Sequence, residues 1–325
     1  MYSLHMLGTK ISFLSIFMLL HGCAGPAQPS ELKYKAAGKD PVVLAVYEGW
    51  FGTPKHISVG YSSHDADVMR RQIRTAKQMG ISGFVVDWYG DREPYIDKSY
   101  AMLQGMAAKN NFSVAMMYDE TERDEGATDS VIADFTMFHD TYLAANSPGR
   151  QAYLTFNGRP VIFVFPHGSH TDWAKVRTVV DKWSPAPLLV QENLPGPHPD
   201  AFDGFYPWVN PGAEGWKADG ANWGENYLAD FYKNMAAKYP DKMTIGGVWP
   251  GFNDSKASWS LNRHMTAQCG QTYRETFGLW RKYFAADQVI PFLLIETWND
   301  YEEGSEIEPG IPACAAGQAP KPAGK

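Results

Sequence analysis

Six carboxylates crowd into one short stretch near the end of the chain, Glu296, Asp300, Glu302, Glu303, Glu306 and Glu308, with no Lys or Arg among them. Packed like charges raise the pKa of some members, so one carboxyl can stay protonated at neutral pH while another is ionised. That is the requirement for paired acid and base work. Trp298 and Tyr301 lie among these acids, and flat rings beside carboxylates suit a sugar. The sharpest pair is Asp300 and Glu303. On a helical turn the i, i+3 spacing puts both on one face with Cβ atoms roughly 5–6 Å apart, where two acids can share a glycosidic bond. The competing reading is a capping box, in which Asp-x-x-Glu only satisfies backbone donors.

Something must hold that stretch in place. It follows an apolar run, residues 290–295, that reads as a buried strand. Upstream, strand-length apolar runs alternate with helix-period segments, the pattern of parallel βα units. Strands are expected at 42–51, 81–89, 112–120, 160–166, 187–192, 204–208, 242–249 and 289–297. Helices are expected at 64–80, 95–110, 129–145, 171–183, 222–238 and 272–286, and only the fifth unit lacks a clear one. Eight units predict an α/β fold, a (β/α)8 TIM barrel in a single domain over 41–312. A doubly wound sheet needs fewer strands, and the chain has no Gly-rich phosphate loop.

In such a barrel the carboxyl ends of the strands carry the chemistry. Here each end bears an acid, a His or an aromatic ring. The substrate-holding candidates are Trp50, Asp87, Tyr89, Tyr118, Glu192, Trp208, Trp249 and Trp298; for any single ring, packing under a loop competes with contact to a ligand.

Trp298-Asn-Asp-Tyr-Glu-Glu-Gly-Ser-Glu-Ile-Glu-Pro309 resembles the signatures of two families of sugar-cleaving enzymes. One is glycoside hydrolase family 99, the endo-α-mannosidases, with Asn-Glu-Trp-x-Glu-Gly-x-x-Ile-Glu. The other is family 71, the α-1,3-glucanases, with Trp-Asn-Asp-Tyr-x-Glu. Gly80-Ile-Ser-Gly-Phe-Val-Val-Asp-Trp-Tyr-Gly90 also looks like their second strand, and the resemblance spans roughly residues 42–310. It implies a glycoside hydrolase acting on an α-linked glycan without a cofactor, with Asp300 and Glu303 catalytic. Family 99 implies that Glu303 is the general acid and that the first acid pulls on the sugar 2-hydroxyl to give an anhydrosugar. This chain has Asp at 300, as family 71 does, so direct inversion through water stays open. Glu302 is an extra neighbouring acid. A non-catalytic glycan-binding lipoprotein on the same scaffold is the alternative reading.

The rest of the chain bounds the setting. It has 325 residues, 44% hydrophobic, with a net charge of −7 and 11 Trp. The acidic balance and the lack of a basic cluster argue against nucleic acid. His56, His64, His167 and His170 match no recognised metal-ligand spacing, and no metal is expected. The acids at 300–308 do not follow a Ca²⁺ loop pattern, and no Gly-x-Ser-x-Gly elbow occurs. Lys10 and the apolar run 11–20 read as a lipoprotein-type signal peptide over 1–22, too short for a spanning helix. Leu20-His-Gly-Cys23 looks like a lipobox that would lipidate Cys23, followed by a linker to residue 40. The expected location is the bacterial cell envelope, with the protein a lipid-anchored monomer and 313–325 a tail. In an exported protein Cys269 and Cys314 could pair or remain as two thiols.

Overall fold

The apolar runs become eight parallel strands that close on themselves: β1 (Val42–Tyr47), β2 (Gly83–Trp88), β3 (Ser113–Asp119), β4 (Arg159–Phe165), β5 (Leu188–Glu192), β6 (Gly204–Tyr206), β7 (Met243–Val248) and β8 (Phe292–Ile295). This is a computed structural model, which describes residues 32–120, 127–167, 170–211 and 223–313. Neighbours in sequence pair around the ring, β8 pairs with both β7 and β1, and β3 pairs directly with β4. The fold is therefore a closed (β/α)8 barrel in one domain. Its strands read as continuous apolar runs because one face meets the barrel interior and the other the helices, so nearly every position is buried.

The outer layer holds α1 (Ala66–Gln78), α2 (Pro94–Lys109), α3 (Ala127–Phe138), α4 (Trp173–Val180), α5 (Glu225–Lys238) and α6 (Gln271–Leu279). Start signals in the sequence act locally. Asp65 caps α1 by accepting the amides of Asp67 (2.8 Å) and Val68 (3.2 Å), and Pro94 opens α2. The fifth unit has only the 3-10 turn Pro199–Ala201 between its strands, as its sequence implies. The third helix ends earlier than its periodicity, passing into a π turn at His139–Leu143.

Residues preceding β1 close the floor of the barrel. Lys33 donates its amide to Pro240 O (3.0 Å) and Ala36 to Val289 O (2.8 Å), while Leu32 is buried. The segment expected as linker thus packs onto the domain from Leu32 onward; residues 1–31, including Cys23, lie outside the described residues. Cys269 is disulfide-bonded, and Cys314 also lies outside the described residues.

β6 is short and abuts β7 so closely that a side chain at Gly204 would place its Cβ 2.4 Å from Met243 O and 2.5 Å from Met243 Cβ. Gly204→Ala should therefore force the two strands apart and cost about 1–3 kcal/mol, read as a lower denaturant midpoint at unchanged slope.

Candidate active site

Beyond β8 the chain crosses the barrel mouth in a tight turn that is still held by the sheet. Glu296 donates its amide to Val248 O (2.8 Å) and Trp298 to Val46 O (2.7 Å). Asn299 clips the turn to the end of β1, its Oδ1 accepting the Glu48 amide (2.8 Å) and its Nδ2 donating to Glu48 O (3.0 Å). Thr297 Oγ1 accepts the Asp300 amide (2.7 Å), and Asp300 Oδ1 accepts the amides of Glu302 and Glu303 (both 2.9 Å). Gly304 closes the turn at φ +58°, where a Cβ would sit 3.0 Å from Asn253 O.

The capping box is thus half formed. Asp300 spends one oxygen on two amides, while its Oδ2 has no hydrogen-bond partner among the described residues. Glu303 does not reach back to the Asp300 amide; its Oε1 accepts the indole N–H of Trp259 (3.0 Å) instead. Of the other acids in the stretch, two are anchors. Glu302 accepts from the Ile57 amide (3.2 Å) and pairs with His56 (2.7 Å), fixing the loop after β1. Glu308 accepts from Gln72, Tyr61 and Tyr301. Glu296 is fully buried and takes the Val209 amide, with its other oxygen unpartnered among the described residues.

Further carboxylates converge from the other strand ends. Glu48 follows β1 and Asp87 ends β2; both are buried, with Glu48 Oε2 and Asp87 Oδ1 lacking a partner among the described residues. Burial pushes the Glu48 carboxyl well up, and Asp87, Asp300, Glu303 and Asp119 add like charge. Asp87 is likewise raised by burial and then by Asp119, against the pull of a 2.6 Å hydrogen bond from Tyr89. Asp300 is raised by burial and then by Glu303, while Glu303 is raised by burial with Trp259 and Arg263 opposing. Burial and mutual repulsion thus favour the protonated form of Glu48, Asp87, Asp300 and Glu303. Across the mouth, Asp119 pairs with His167 (2.6 Å), and this hydrogen bond raises the imidazole pKa despite burial.

Glu192, at the end of β5, is pushed up to about 7 by burial, with His167 opposing and Asp119 adding to the rise. A folded-state pKa above the unfolded value means that the native state binds the extra proton. Stability is then full below pH ~4.5 and is lost as pH rises towards 7. Glu192→Gln should accordingly raise the melting temperature at pH 8, by an amount worth about 2 kcal/mol, with the gap closing below pH 5 in calorimetric scans.

The loop after β7 completes the rim. Two short strands, Phe252–Asn253 and His264–Met265, pair antiparallel beneath it. Inside the loop, Asp254 is 0% exposed and accepts from Ser260 Oγ (3.0 Å), Leu261 N (3.1 Å), Arg263 N (2.8 Å) and Arg263 Nε (2.8 Å). Burial opposes its charge, but Arg263 and these amides outweigh it and hold the carboxyl below its usual range. The Asn253 amide donates to Glu303 O (2.6 Å), joining this loop to the acid turn. Trp259, 43% exposed, projects from it over Glu303.

The structure gathers Asp87, Tyr89, Glu192, Asp300 and Glu303 at the mouth. Trp208 is half-buried beside Phe165, with ring centroids 5.2 Å apart. Trp50 is 5% exposed and already stacked on His56 at 4.6 Å, so one face of its ring is covered. Three other expected substrate contacts are buried away from the open mouth. Tyr118 faces the helices, fully buried, and donates to Asp134 of α3 (2.6 Å). Trp249 is fully buried and donates to Trp223 O (2.9 Å). Trp298 is fully buried inside the barrel against Phe84. Sequence reasoning did not single out Glu48, Asp119, Trp259 and Arg263, and weighed His167 only as a metal ligand.

No protein-family profile and no curated protein matches the chain. Solved structures do. An endo-α-mannosidase of glycoside hydrolase family 99 from Bacteroides thetaiotaomicron, in complex with Bis-Tris-propane, superposes with a TM-score of 0.62 at 20% identity, over 86% of this chain and 91% of that one. A second structure of the family 99 enzyme from that organism gives 0.60 at 20% identity, over 86% and 92%. A glycoside hydrolase-like protein gives 0.62 at 15% identity, over 88% and 90%. At these identities the match speaks for architecture: the chain is built on the barrel that these family 99 endo-α-mannosidases share.

Proposed function

We propose that the protein is a glycoside hydrolase that cleaves an α-linked glycan of α-mannan or α-glucan type, with Asp300 and Glu303 as its catalytic pair. The observation that carries this reading is the placement of both acids on one clamped turn after the last strand, in a mouth where burial and mutual repulsion keep protons on carboxyls. Glu303, the less buried of the two, gives its proton to the glycosidic oxygen as the C1–O bond breaks, and the leaving sugar departs as an alcohol. Asp300 Oδ2 takes a proton either from an attacking water, giving inversion, or from the sugar 2-hydroxyl, giving an anhydrosugar that water then opens. Both routes consume one water per bond and regenerate the pair. The sequence signature and the family 99 neighbours support the α-linked substrate.

The engagement of Asp300 Oδ1 by two amides favours a second reading, a surface glycan-binding protein without turnover. A proton NMR time course on α-mannans and α-glucans separates the two, because new anomeric signals identify substrate, linkage and stereochemistry together. Titration heat without product would select the binding protein. We further propose that the chain is exported, lipidated at Cys23 and monomeric; mass spectrometry of the mature N-terminus tests the lipid. Among the described residues, no helix is long and apolar enough to cross a membrane.

A further inference from the structure

Trp259 stands apart from the other aromatic residues of the mouth. Among the described residues it is one of four large hydrophobics left exposed, with Val42, Leu261 and Ile311. Its position is nevertheless built. The loop that carries it folds around the buried carboxylate of Asp254, and its amide at Asn253 is bonded to Glu303 O. Trp259 meets Trp50 edge-to-face at 6.4 Å and His56 at 6.3 Å, so its ring stands on edge against that stack. Its indole N–H donates to Glu303 Oε1 at 3.0 Å. An exposed indole held this firmly costs apolar surface in water, and folding alone does not require it.

We propose that Trp259 forms the leaving-group subsite: its free face stacks the sugar that departs, and its N–H orients Glu303. The inference rests on the hydrolase reading and deepens it. A general acid must reach the glycosidic oxygen, so whatever lies beside its carboxyl lies beside the leaving sugar. A ring there offers the flat apolar face that a pyranose covers with its C–H bonds, while the N–H occupies Oε1 and leaves Oε2 to carry the proton. The ligand class is a neutral hexose in glycosidic linkage, and the preferred substrate therefore extends at least one sugar past the cleaved bond.

The test compares two kinds of substrate with wild type, Trp259→Ala and Trp259→Phe. One is the α-manno- or α-gluco-oligosaccharide that the wild type cleaves; the other is α-mannosyl or α-glucosyl fluoride, which has no leaving sugar and needs no proton. W259A should lose about 30-fold or more in kcat/KM on the oligosaccharide, and at least tenfold less than that on the fluoride. W259F keeps a ring but lacks the donor. N–H donation favours ionised Glu303, so its loss raises that pKa and moves the alkaline limb of the oligosaccharide profile to higher pH. Equal losses of W259A on both substrates, or an unmoved limb in W259F, would overturn the subsite and leave the hydrolase reading intact. A wild type that cleaved no α-manno- or α-gluco-oligosaccharide would overturn both.

Discussion

Glu303→Gln should lower kcat on an oligosaccharide by about 10²–10⁴-fold, the range that a positioned general acid supplies. The amide is isosteric with the acid but has no proton to give. Stability should hold or rise, because burial already disfavours the charged carboxyl. Two comparisons make the result specific. On a glycosyl fluoride, whose leaving group needs no proton, the deficit should shrink by at least tenfold. Glu302→Gln should cost less than about tenfold in kcat, because Glu302 is spent on His56 and Ile57 and acts on the loop after β1 rather than on a glycosidic bond. A Glu302 variant as damaged as the Glu303 variant, on both substrates, would move the acid by one position and refute the assignment.

The largest structural effect is expected at Asp254. Asp254→Ala removes one acceptor group from two amides, a hydroxyl and a guanidinium at once. Loss of a buried, multiply bonded carboxylate of this kind costs about 3 kcal/mol or more. The barrel strands do not depend on Asp254, so the cost should fall on residues 252–265 as local opening. Limited proteolysis should find new cleavage there in the variant. The same variant should lose turnover, because Glu303 would lose both the indole donor and its neighbouring strand. A variant with native protease resistance and native kcat/KM would show that the Asp254 network does not support the site.

Much of the molecule was legible in the chain because each barrel strand is a short, isolated apolar run between helix-period segments, and run length separates the two. The weak fifth unit was legible for the same reason: no helix-period segment lies between β5 and β6. That Asp300 and Glu303 share one turn was legible from their spacing. The aromatic contacts were less so, and the cause is alternation along a strand. Neighbouring residues at a strand end point to opposite faces, so a conspicuous ring and the acid beside it go to different sides. Tyr118 turns out to α3, whereas Asp119 joins the mouth. Trp259 and Arg263 were illegible for another reason. Their loop is shaped by one buried acid, Asp254, which nothing in local periodicity distinguishes from an exposed one.

The ring of acids has a consequence for diet. Glu48, Asp87, Asp119, Glu192, Asp300 and Glu303 face one opening from the ends of five strands, and against them stand His167 and Arg263. A polysaccharide decorated with uronate or sulfate would bring its own negative charges to that opening. Each pair at 4 Å would cost about 1 kcal/mol in water-like surroundings and about 4 kcal/mol at the intermediate polarity of a protein surface. A polyanion would push further protons onto these acids, so it is expected to compete for the opening more weakly than its neutral counterpart at neutral pH.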